Sequence, residues 1–177
     1  MVDKHIRLRV LKALTEHLEG ITVANGYGHD LKGKVYRGRD LFGDNDKPPF
    51  LSLLEGKGSE IGNFADENRT TRADQWILLV QGWVVDDKKN PTDPAYELLA
   101  DVEQRLSDII AVDNQGAPKF KGVYNLKGLI TSLTMASPVV RPPENGVSST
   151  AFFYLPIRIG LAVDLTKPWQ GSKEINR

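Results

Sequence analysis

Residues Ala73–Asp87 read ADQWILLVQGWVVDD, and this stretch decides the fold. Trp76, Leu78, Val80 and Val84 fall on one face of an extended chain, and Ile77, Leu79, Trp83 and Val85 on the other. A strand with a single buried face alternates apolar and polar side chains. This one is apolar on both faces, which predicts a central strand covered on both sides. The run stops at DDKKNP, where charges, Asn90 and Pro91 signal a turn. A helix follows, predicted over Asp93–Ile110 with Asp93 as N-cap and Pro94 at its first position. Leu98, Leu99, Val102, Leu106, Ile109 and Ile110 form its apolar stripe, and Glu97, Asp101, Glu103 and Asp108 its acidic outer face.

Upstream, Asp3–Glu19 has Ile6, Val10, Leu14 and Leu18 four residues apart, with Leu11 widening the stripe. That spacing predicts an amphipathic helix, capped by Asp3 and stopped by Gly20, with Arg7, Arg9, Lys12 and Glu16 in solvent. The glycine-rich residues 24–33 read as a loop. They lack the strand–loop–helix setting of a phosphate cradle, since a helix precedes them. Lys34–Arg39 and Phe50–Glu55 are short strands, joined by the turn-forming DLFGDNDKPP. Gly56–Arg72 reads as a long protruding loop, of the kind that is more often functional than accidental.

Downstream, residues 111–128 have loop composition. Leu129–Val139 alternates as a half-buried strand, and RPPENGVSS is a turn or hairpin tip. Thr150–Leu165 is the last strand, with Phe153, Leu155, Ile157, Ile159, Leu161 and Val163 on one face and Tyr154, Arg158 and Asp164 opposite. Pro156 cannot donate to a ladder and predicts an edge or a bulge. The two strands form an expected antiparallel pair. A polar tail at about 166–177 would fray unless docked. The expected architecture is a single α+β domain over 1–177: a mostly antiparallel four- to five-stranded sheet with two main helices packed on it.

Composition excludes several classes. There are 23 basic and 23 acidic residues, 14 of each up to residue 90 and nine of each after it, so neither half is a basic arm for nucleic acid or anionic membrane. Without cysteine there is no disulfide, thiol catalysis or Cys-ligated metal. No window reaches the roughly 18 consecutive apolar residues of a membrane span, and the N-terminal stretch lacks the apolar core of a secretory signal. A soluble protein with no membrane partner is expected. His5, His17 and His29 read as surface or cap residues rather than ligands, and Asp86 and Asp87 as a charged turn. With no nucleophile–base, Walker or zinc pattern, no catalytic, cofactor or metal site is expected, and the chain reads as a non-enzyme.

The VYRGR segment, PFLSLLEG, the strand WILLVQGW and the helix-opening NPTDPAYELLADVEQRL together resemble the tail terminator proteins of long-tailed bacteriophages and their tail-completion and neck relatives. The similarity spans roughly residues 4–110, and its weight lies in the strand–turn–helix unit. The resemblance implies a structural virion protein, made in host cytoplasm and located at the tail–head junction. It would form a homo-oligomeric ring, a hexamer in such families, that ends growth of the tail tube. Implied partners are other copies of the chain, the tail tube protein, the head–tail connector and genomic DNA passing through the lumen without sequence-specific binding. The bland alternative is a small binding module, or another tail-completion protein with the same fold. Expected assembly contacts are Arg37, Arg39, Glu60, Phe64, Arg69, Arg72, Arg141, Glu144 and Trp169.

Overall fold

The computed structural model describes residues 5–43, 45–56 and 67–175. Two helices and six strands carry the architecture: α1 (Ile6–Leu18), β1 (Val35–Arg37), β2 (Phe50–Glu55), β3 (Thr71–Val84), α2 (Asp93–Ser107), β4 (Ser132–Met135), β5 (Val139–Arg141) and β6 (Ala151–Asp164). A third, four-residue helical segment spans Asn125–Gly128. All strands join one sheet in the order β1-β2-β3-β6-β4, with β5 also on β6. Every pairing is antiparallel except β1 with β2. The fold is α+β, with a sheet one strand larger than the upper expectation.

β3 and β6 are the spine. They pair along their full length, from Thr71 opposite Asp164 to Val84 opposite Ala151. Trp76, Leu78 and Val80 of β3 and Phe153, Leu155, Ile157 and Ile159 of β6 are fully buried or nearly so, under α1 and α2. Gly82 sits opposite Phe153 in this register. A Cβ there would lie 2.3 Å from Phe153 Cε1 and 2.9 Å from Leu51 Cδ2, so the aromatic ring occupies the space above the glycine. Gly82→Ala is therefore expected to cost about 1–3 kcal/mol of overpacking, read as a lower urea midpoint at unchanged slope.

One expectation is corrected by the sheet. Both helices lie on the even-numbered face of β3, and no described helix covers the other. Ile77, Leu79 and Trp83 are half-buried. β3 is central in strand order, but the described helices cover it on one side only. On its apolar second face the loop around Phe42 packs over the end at Phe50 and Trp83.

Helix ends differ from expectation for local reasons. α1 is capped by His5, whose Nδ1 accepts from Arg7 N at 3.2 Å; Asp3 lies outside the described residues. Gly20 is not a left-handed stop. Its lack of a side chain makes room for Arg105, whose Nη2 would be 2.3 Å from a Cβ. α2 has Thr92 at its N-cap position, without a side-chain hydrogen bond, and ends at Ser107, with Asp93 in its first turn. The strand expected over 129–139 is two strands. Met135 pairs with Ile157 and Val139 with Tyr154, so four steps along one chain match three along β6. This bulge lies beside Pro156, whose carbonyl accepts from Ala136 N at 2.9 Å. β3 starts at Thr71, inside the segment expected to be a loop, of which residues 57–66 lie outside the described chain.

The tail is docked, not frayed, through residue 175. Ile6 N donates to Pro168 O at 2.7 Å, and Ser172 Oγ donates to Leu129 O while accepting from Ala162 N. Lys173 N donates to Gly128 O at 3.0 Å. The segment that receives it is unusual: Asn125, Leu126, Lys127 and Gly128 all have positive φ, between 48° and 86°. Such a left-handed turn costs roughly 1–2 kcal/mol per non-glycine residue. It plants Leu126 in the core and turns the Gly128 carbonyl toward the tail.

Candidate functional site

Side chains bearing chemistry are engaged in structure. Arg7 and Arg72 converge on buried Asp74, at 3.2 Å from Arg7 Nη2 and 2.6 Å from Arg72 Nε. His29 Nδ1 lies 2.7 Å from Asp101 Oδ2, which also accepts from Gly28 N. Asp87 closes the charged turn by accepting from Lys89 N and Asn90 N. Among the described residues no group of three His, Asp or Glu is arranged to hold a metal. No described helix is long and apolar enough to cross a membrane.

His17 departs from the surface position expected of it. It is buried between α1 and α2, where its Nε2 lies 2.6 Å from Arg105 O and Arg105 Nε donates back to His17 O at 2.8 Å. Burial lowers its pKa below the ordinary 6.5, and the Arg105 guanidinium adds to this; the hydrogen bond to Arg105 O and the charge of Asp108 oppose it. The neutral ring therefore belongs to the folded state. The contribution of this histidine to stability is fully present above pH 6.5 and is lost as pH drops below that value, because the unfolded chain takes up the proton first. Urea titrations between pH 8 and pH 5 are expected to show this loss, and His17→Gln to flatten it.

A cleft of about 530 Å³ opens beside this histidine, between α1, α2, the left-handed turn and the docked tail. Arg9, Arg105, Lys127 and Lys173 face Glu16 and Glu174 there. Arg9 is already committed, to Trp169 O and to Glu174 at 3.8 Å.

A second feature is the face of the sheet away from the helices, whose apolar strand residues are half-buried. The strand register assigns it Leu54 of β2, Ile77, Leu79, Gln81 and Trp83 of β3, and Phe152, Tyr154, Pro156 and Arg158 of β6. β4 and β5 add Thr134, Val139 and Arg141. One end is roofed by Phe42, which stacks on Phe50 at 4.3 Å; Phe50 in turn stacks on Trp83 at 5.1 Å. The Arg39 guanidinium sits 4.6 Å over Phe42 and 4.9 Å over Tyr36, held by Asp46 at 2.6 Å. Ser52 Oγ donates to Arg39 O at 2.5 Å and ties this loop to β2. The rest of the face has no described element over it. Among described strand residues on it, Asp164 is the one carboxylate, at the far end and engaged by Thr166.

The expected contact residues divide accordingly. Arg39 and Arg141 belong to the open face, and Glu144 lies 3.9 Å from Arg141. Arg37 is exposed on edge strand β1, and Arg69 is exposed just before β3. Arg72 serves the Asp74 network, and Trp169 is part of the docked tail beside α1. Glu60 and Phe64 lie outside the described residues. The sequence reading missed Phe42 and Arg158. Phe42 is hidden in a segment of turn composition. Arg158 had a readable signal, a lone exposed cation inside an otherwise apolar strand. No family model matches the chain, and no curated protein sequence matches it.

Proposed function

We propose that the chain is a structural subunit that assembles with itself into a ring, capping a bacteriophage tail tube and offering the head-joining surface. The observation that supports this reading best is the long β3–β6 spine with one buried face and one apolar face left open. A sheet face that is aromatic and aliphatic across three strands and half-buried among the described residues supports a reading in which another protein covers it. The resemblance of the strand–turn–helix unit to tail terminators supplies the particular assembly. In this reading DNA passes through the ring, and the balanced charge suits a conduit that lets it slide.

Deleting the coding sequence from its parent phage tests this. Tubes of uncontrolled length, or tails without heads, are expected, with rescue by the intact chain in trans. Tails of normal length joined to heads would end the reading. The alternative, a small-ligand binding module, has the 530 Å³ cleft in its favour. It predicts normal phage tails and a ligand retained on purification.

A further inference from the structure

We infer that the open sheet face is covered by helix α2 of a second copy of this chain, in a head-to-tail contact. The argument is charge and shape complementarity. The open face carries Arg158 and Arg141, the latter 3.9 Å from Glu144, around an apolar centre of Ile77, Leu79 and Pro156, while Arg39 at its roofed end is held by Asp46. What fits it is an acidic surface with a modest apolar ridge.

α2 supplies that surface. Its inward side is Ala95, Leu98, Leu99, Val102 and Leu106. At 3.6 residues per turn the outward side is then Asp93, Tyr96, Glu97, Ala100, Glu103 and Gln104. This outer side holds three carboxylates and no cation. The α2 cation Arg105 turns away, toward His17 O and Asp108. Tyr96 is 57% exposed, unusual for a tyrosine in the middle of a polar stripe. Ala100 is exposed beside it, small enough to let the helix lie close on a sheet. Packing a helix on the second face gives β3 the two-sided cover its sequence pattern calls for.

The two patches differ, so the contact is heterologous and propagates from copy to copy, closing into a ring if the rotation permits. The inference deepens the capping reading and depends on it only for that closure.

Charge reversal tests it. Wild-type chain, Arg141→Glu/Arg158→Glu, Glu97→Lys/Glu103→Lys and the combined quadruple variant are compared by sedimentation velocity, with thermal melts confirming that each folds. The wild type is expected to self-associate. Each double variant should raise the concentration for half-assembly at least tenfold, and the quadruple variant should bring it back within about threefold. Mixing the two double variants should restore assembly with the variants alternating, because each unlike contact again joins opposite charges while like copies repel. A wild type that stays monomeric to about 1 mM, reversals without effect, or losses without rescue would each overturn the interface. Phage tail length, scored in parallel, separates the two claims: capping that survives all reversals leaves the ring reading standing with a different interface.

Discussion

Trp76→Ala is expected to lower the free energy of unfolding by about 4 kcal/mol, the largest effect of any single substitution argued for this chain. Trp76 is 0% exposed and lies on the helix-covered face of the central strand. Its indole Nε1 donates to Glu55 Oε2 at 3.2 Å, and the Arg7 guanidinium lies 5.0 Å from the ring centroid. The ring therefore joins α1, β2 and β3 at once. Its removal leaves a void in a well-packed layer, and a layer fixed by two long paired strands cannot collapse to fill it. Urea unfolding checks the value. Trp76→Phe keeps most of the volume and should recover more than half of the loss. A loss below about 1 kcal/mol for the alanine variant would show that this core is not as described.

Asp74→Ala is expected to cost about 3 kcal/mol. Asp74 is 3% exposed, and both of its carboxylate oxygens are engaged by arginines. Removing it leaves Arg7 and Arg72 facing each other at the start of β3. Arg7 also has a buried Nε without a hydrogen-bond partner, so the carboxylate is the group that compensates this cation. Glu55, 3.8 Å from Arg7 Nη1 and well exposed, offsets little of the loss. Asp74→Asn retains the shape and one acceptor and should fall between wild type and alanine. Because Trp76 and Asp74 share Arg7, the double variant should lose less than the sum of the singles. Full additivity would separate the two sites.

The parts of the fold that could be read from sequence are those where one periodicity dominates. The stripe of α1, the stripe of α2 and the alternation of β6 each place a residue set in the core as expected. β2 was bounded at both ends by its prolines and Gly56. What could not be read depended on distant partners. His17 looks like any polar residue on a helix face until Arg105, 88 residues on, accepts and returns a hydrogen bond. The tail looks free until Ser172 and Lys173 meet the carbonyls of Leu129 and Gly128. The left-handed turn at Asn125–Gly128 has no sequence signature, since three of its four residues are not glycine.

The two-faced apolarity of β3 gave the most informative disagreement. Pattern alone asks for cover on both sides, and among the described residues the helices provide it on one. A burial pattern records every environment a residue occupies, including those supplied by other chains. That is why the open face, rather than any side-chain cluster, is where function is placed here. The cleft beside His17 carries mixed charge, with Arg9 already bound to the tail, and makes a weaker claim.

The most direct measurement of the central claim is electron microscopy of purified tail tubes incubated with the chain carrying a gold-labelled tag. The account predicts label at one end of each tube and tubes that no longer elongate when fresh tube protein is added. Label spread along the tube wall, or tubes that continue to grow with the chain present, would contradict it.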